Sequence, residues 1–295
     1  MYMYYFIYGL LYLLSLLPFF ILYFISDCFY ALVYYVFRYR RDVVAGNLAI
    51  AFPERSVKER NRIAKQFYHN FADSFVETIK LLSISRSGLG KKCTSDMTVV
   101  HKLLEEGKNV NLICGHQFNW EYGNLFYSAA LEVPFAAVYL PIKNKVFERL
   151  MLKIRSKFGA KMVKPSDFGS RLHNVFKGRH TFVLMADQSP ALPTTGYWIN
   201  FFGRPTCFLH GPEKSAIRNK VAVVFFGFKK IKRGHYHFAP VLLTDDATKN
   251  TARGEITCLY RDALERSIRE DPANYLWSHR RFKFEWNESY SKILG

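Results

Sequence analysis

The sequence predicts an α/β fold: a mostly parallel sheet covered by helices, preceded by an N-terminal transmembrane helix and a helical neck. Three observations carry this reading. Between residues 109 and 243, short apolar runs alternate with helix-length segments, and continuous apolar strands separated by helices are typical of parallel sheets buried on both faces. The first 37 residues are almost free of charge. Between these two regions, large apolar residues recur every four positions, as on one side of a helix. The implied division is a membrane anchor at 1–40, a neck at 41–90 and an α/β body at 91–295.

Taken in order, the stretch from Tyr2 to Ser26 has no charged side chain, and apart from Asp27 the apolar and aromatic run continues to Phe37. About 20 apolar residues span a bilayer. The stretch lacks the basic leader and small-residue cleavage site of a secretory signal. Pro18 leaves room for a kinked or re-entrant path, so the alternatives are spanning, embedding and a buried core helix, the last disfavoured because a soluble helix normally carries a polar face. Arg38, Arg40 and Arg41 follow at once, and by the positive-inside rule they put the body in the cytoplasm. In "SVKE", Ser56 and Glu59 have capping-box spacing, and Ile63, Phe67, Phe71, Phe75 and Ile79 follow it, which predicts a helix of about 25 residues. Residues 85–92, "SRSGLGKK", read as a linker, and "VVHKLLEEG" as a small helix. Strands are expected at 109–114, 134–140, 180–186, 221–228 and 236–243, with helices at 119–131, 144–158, 168–177, 209–219 and 251–270.

Composition narrows the function classes. With 49% hydrophobic and 17% aromatic residues, the chain has ample material for a core, which excludes disorder. Lys and Arg number 42 against 24 Asp and Glu, so the surface needs an acidic partner: nucleic acid, anionic lipid or acidic protein. The aromatics fall at core spacing rather than on stacking surfaces, and this disfavours nucleic acid. A non-catalytic, membrane-tethered basic module is the rival class. Five scattered cysteines without a C-x-x-C pair read as reduced thiols. His235 and His237 share a strand face but have no third ligand nearby, so no metal is expected. Lys229, Lys230, Lys232 and Arg233 read as a solvated hairpin tip able to touch anionic headgroups.

The stretch "GHQFNWE", residues 115–121, places His116 two residues past the end of a strand, with Asn119 as a helix N-cap and Glu121 in the first turn. Sites in open α/β sheets form at the carboxyl ends of strands. On a continuous helix, five positions advance about 500°, leaving a net offset of about 140°, so His116 and Glu121 do not share a face. They meet only if a turn precedes the helix, and Gly115 and Asn119 can make one. His116 would then act as a base through one ring nitrogen while Glu121 receives the other N–H. The alternative is a structural histidine near a helix-capping acid.

Five blocks in order widen the comparison: "NLAIAFPERSVKERNRIAKQFYHNF" (47–71), the H-x4-E just described, "VYLPIKNKVFERLMLKIRSKFGAKMV" (138–163), "LMADQSP" (184–190) with "FFGRPTCFLHGP" (201–212), and "YLWSHRRFK" (275–283). Together they resemble the lipid A late acyltransferases of the lysophospholipid acyltransferase superfamily, over nearly the whole chain. Where many members read Asp-x-[Asp/Asn]-Tyr-Gly-Pro, this chain has "DQSPALPTTG", a departure that bears on the acceptor more than on the reaction. The resemblance implies transfer of an acyl chain from a thioester to a hydroxyl of a membrane glycolipid, with a lipid A precursor the favoured acceptor and a lysophospholipid or an amino-acid lipid the alternatives. The donor implied is acyl carrier protein, or else acyl-CoA, with no further cofactor. The setting implied is the cytoplasmic face of a bacterial inner membrane. His116 and Glu121 would be catalytic. Asn119, Asn144, Arg155 and Asp187 would stabilise the oxyanion or bind substrate. Arg204, His279, Arg280, Arg281 and Lys283 would meet lipid phosphate or the carrier. The absence of G-x-S-x-G fits direct transfer without an acyl-enzyme.

Overall fold

Seven strands form one sheet in the order β1-β9-β8-β2-β5-β3-β4 in the computed structural model, which describes residues 2–167, 176 and 178–295. The strands are β1 (Cys93–Ser95), β2 (Val110–Cys114), β3 (Phe135–Val138), β4 (Lys161–Val163), β5 (Thr181–Met185), β8 (Ala222–Lys232) and β9 (His235–Thr244). All neighbours run parallel except the β8–β9 hairpin. Every residue of β2 is buried, as expected of a central strand covered on both faces. A separate antiparallel ribbon, β6 (Gly196–Phe201) with β7 (Arg204–Leu209), was not anticipated, and neither were the three-residue edge strands β1 and β4. Strands that short have no readable period. The hairpin turn at the end of β8 uses Gly234 at φ +71°, a left-handed conformation that glycine adopts without steric cost.

Helices α1 (Tyr2–Leu16), α2 (Phe19–Ala31, continued by a π turn to Val36), α3 (Arg41–Ala51), α4 (Val57–Lys80), α5 (Arg86–Gly90), α6 (Thr98–Glu105), α7 (Trp120–Ala130) and α8 (Lys145–Arg155) follow in chain order. Two more, α9 (Gly211–Asn219) and α10 (Glu255–Glu270), complete the set among the described residues. The expected helix at 168–177 lies outside them, save for Phe176. Residues 85–92 are not a bare linker: Ser85 caps α5 through the Gly88 N–H.

The capping box of α4 forms as its sequence requires, with Ser56 Oγ accepting from Glu59 N and Glu59 Oε2 accepting from Ser56 N. The four-residue stripe does not stay on one face, however. Ile63 and Phe67 are buried but Phe75 is 48% exposed, because each four-residue step overshoots the helical repeat by about 40°. Asp73 and Glu77 occupy the buried side instead.

Those two acids explain how the N-terminal helices sit. By length and composition, Phe19–Val36 suffices to cross a membrane. Its polar side chains nonetheless face the body: Ser26 donates to Asp73 (2.8 Å), Tyr23 donates to Glu77 (3.0 Å) and Asp27 pairs with Arg233 of the hairpin (2.6 Å). Lys80 Nζ donates to the carbonyls of Ser15 and Leu17, where α1 ends. The opposite side exposes Phe20, Phe24, Leu32, Tyr35, Val36 and Phe37. One hydrophobic cluster runs from Tyr30 and Val33 through Phe52 and Phe67 to Ile113, Phe225 and Trp277, so neck and sheet share a core. Full burial of each such side chain stabilises by roughly 1.5–3 kcal/mol.

Candidate active site

Beyond Cys114 the chain must turn sharply, and Gly115 permits it: a Cβ there would meet Leu264 Cδ1 at 2.6 Å. Residues 116–118 then run antiparallel to 274–276, with Leu276 N donating to His116 O (2.9 Å) and Phe118 N to Asn274 O (2.9 Å). This pairing fixes the direction of the His116 side chain.

The carboxylate that meets His116 is Asp187, not Glu121. Asp187 Oδ1 lies 2.6 Å from His116 Nδ1, and its Oδ2 accepts from the His116 backbone N–H at 3.0 Å. Parallel register accounts for this. Strands β2 and β5 pair with Val110 opposite Thr181 and Cys114 opposite Met185, and His116 and Asp187 each stand two residues beyond those last partners. Burial by itself would raise the Asp187 carboxyl, but the charge and N–H donors of His116, with Arg281 nearby, outweigh it and hold the carboxyl down at about 2. The other ring nitrogen, Nε2, faces Gln188 Nε2 at 3.4 Å, and the His116 side chain keeps 17% of its surface exposed. The arrangement is a partly exposed histidine whose Nδ1 is committed to a buried carboxylate while Nε2 faces the Gln188 amide.

Glu121 holds a different partner. Its carboxylate accepts from Arg155 Nε and Nη2 (2.6–3.1 Å) and from Trp120 Nε1 (3.0 Å). Burial disfavours the Arg155 charge, but the Glu121 carboxylate more than compensates and raises its pKa. Trp120 in turn stands edge-on to the His116 ring, centroids 5.4 Å apart. Glu121 thus bears on His116 through the indole, and Arg155 spends Nε and Nη2 on Glu121. Asn119 caps α7 by accepting from Glu121 N, as expected, and its amide donates to the fully buried Glu77 (3.0 Å). Burial pushes the Glu77 carboxyl up, against the pull of Lys230 and of the Tyr236 and Asn119 donors.

The remaining expected residues divide. Asn144 is an exposed N-cap, accepting from Val146 and Phe147 N–H groups at the start of α8. Arg281, expected to meet lipid phosphate or the carrier, is buried: Nη1 donates to Cys207 O (2.9 Å) and Ser189 Oγ (3.1 Å), with the Phe208 ring 4.1 Å away. His279 lies beside it, and burial together with the charge of Arg281 lowers its pKa to about 4, so it is neutral at pH 7. Arg280 and Lys283 are exposed, and Arg204 makes a loose, solvated pair with Glu285 at 3.6 Å. Trp120, Gln188 and Glu77 went unremarked in the sequence. The one signal for Gln188 was its place after Asp187 at an apolar strand end.

The sequence profile of the bacterial lipid A biosynthesis acyltransferases matches residues 1–284, and the chain belongs to that family. No curated protein matches it significantly.

Proposed function

We propose that this acyltransferase moves a fatty acyl chain from a carrier thioester to a hydroxyl of a lipid A precursor, with His116 as general base and Asp187 as its orienter. His116 Nε2 takes the proton of the acceptor hydroxyl as the oxygen attacks the thioester carbonyl. The tetrahedral oxyanion collapses, the C–S bond breaks, and the proton on Nε2 passes to the leaving thiolate. Asp187, accepting from Nδ1–H, holds the tautomer that leaves Nε2 free and stabilises the imidazolium between the two steps. The Gln188 amide, beside Nε2, is a neutral donor available to the oxyanion.

The observation that carries this reading is the short His116–Asp187 bond at the carboxyl ends of adjacent parallel strands, with the other ring nitrogen beside the Gln188 amide. The exposed apolar side of α1 and α2 suits insertion into a membrane, and the arginines at 38, 40 and 41 support a body on its cytoplasmic side. Exposed Arg280 and Lys283 suit the acidic surface of an acyl carrier protein. The test is transfer of a radiolabelled acyl group from acyl carrier protein to tetra- or penta-acylated lipid A precursor by membranes carrying wild type, His116→Ala or Asp187→Asn. Parental rates in both variants would remove the assignment.

A further inference from the structure

A cleft of about 710 Å³ opens between α2, α4 and the tip of the β8–β9 hairpin, lined by five cations and three carboxylates. It contains none of the residues placed in the acyl-transfer site. The carboxylates are already engaged. Asp73 accepts from Lys230 (3.1 Å) and Arg233 (2.6 Å), Asp27 from Arg233 (2.6 Å), and Asp271 from the Lys230 backbone N–H (3.2 Å). Three cations are left over. Arg62 and Lys65 on α4 and Lys232 on the hairpin are exposed, and among the described residues none has a carboxylate within ion-pair distance. Arg62, Lys65 and His69 lie three and four positions apart, so they form one stripe along the wall of α4, where the His69 ring stacks on Tyr30 of α2.

The setting of these charges identifies what they would hold. Asp27 is both a wall of the cleft and a residue of α2, whose outer side exposes Phe20, Phe24 and Leu32. Ile231, 58% exposed at the hairpin tip, lines the same opening. Three unpaired cations in a cleft that Ile231 also lines, against a helix whose outer side is apolar, match a molecule with a phosphate joined to hydrocarbon. Neither a soluble phosphate nor an acidic protein needs the apolar border. A polar network that ties α2 to the body at Tyr23, Ser26 and Asp27 keeps the cleft and the apolar side at a fixed spacing.

We propose that this cleft binds the phosphate headgroup of an anionic membrane phospholipid, whose acyl chains lie along the exposed side of α2. The site is separate from acyl transfer and does not depend on that reading. The test is native mass spectrometry of the full chain released from micelles containing equal phosphatidylglycerol and phosphatidylcholine. Wild type is expected to retain about one phosphatidylglycerol per chain, and the triple variant Arg62→Ala/Lys65→Ala/Lys232→Ala to retain at least tenfold less. A control with the same charge removed elsewhere, Lys102→Ala/Lys214→Ala/Arg218→Ala, should retain the parental amount. The proposal is overturned if the two triples lose lipid equally, since general charge would then be responsible. It is also overturned if the cleft triple keeps its lipid, if millimolar inorganic phosphate displaces the lipid as well as added phosphatidylglycerol does, or if the triple loses only affinity for acyl carrier protein.

Discussion

Two buried carboxylates serve the site, one on His116 and one on Trp120 and Arg155, and they differ in what they grip. Asp187 meets an imidazole at 2.6 Å, and Glu121 meets a guanidinium at the same distance. Both are almost wholly buried. The difference lies in the partner. A histidine carries a second ring nitrogen besides the one its carboxylate holds, and here it faces Gln188. An arginine keeps its charge throughout, so Glu121–Arg155 can only position. Burial and short distance alone do not mark a reacting pair. What separates the two acids is the chemistry of the group each one holds.

The sharpest way to break this contrast is to remove the reacting atom. His116→Ala is expected to lower kcat/KM for acyl transfer by about 10³-fold or more, with the fold intact by circular dichroism. Asp187→Asn leaves the ring but offers an amide in place of a full acceptor, and should cost about 10²–10³-fold in kcat with little change in KM.

Acid stability gives the same contrast without an assay. The folded Asp187 carboxyl sits at about 2 against an ordinary 3.8. A depressed carboxyl stabilises the fold above its unfolded pKa, and that contribution fades as pH falls through the folded value. Wild type should therefore lose about 2 kcal/mol from this group between roughly pH 4 and pH 2. Denaturant curves of Asp187→Asn should show a correspondingly shallower fall, and an identical pH slope would contradict the ionised pair.

At the other carboxylate, Glu121→Gln strands a buried arginine. The expected result is a stability loss of about 3 kcal/mol and a rate loss of about tenfold, smaller than that of Asp187→Asn. Adding Arg155→Met should restore part of the stability, because an apolar residue of similar length removes the orphaned charge. Were Glu121→Gln to abolish transfer while Asp187→Asn retained it, the roles assigned to the two acids would be reversed. The smallest effect belongs to the solvated Arg204–Glu285 pair. Glu285→Gln should leave both melting temperature and rate unchanged within error.

Much of this was legible beforehand. Apolar runs located β2, β3, β5, β8 and β9 to within a few residues, and "SVKE" located the start of α4. His116 stood out at a strand end. Its partner did not, because Asp187 is 71 residues away and the linear sequence does not say that β2 and β5 are neighbours. Glu121 was the nearer acid and the wrong partner for the ring. Arg281 shows the converse: one of four basic residues in a short C-terminal stretch, it reads as a contact for lipid phosphate or the carrier, yet its neighbours Phe201 and Phe208 enclose it.

By itself, the sequence determined the longer elements: where β2, β3, β5, β8 and β9 run, where α4 begins, and that the first 37 residues are nearly free of charge. These are local properties, set by side chains a few positions apart. Only the tertiary structure decided which carboxylate meets His116, which cations stay unpaired around the α2–α4 cleft, and that α2 turns its polar side to the body. Each of these depends on strand order and helix packing, which bring together residues that no local pattern connects.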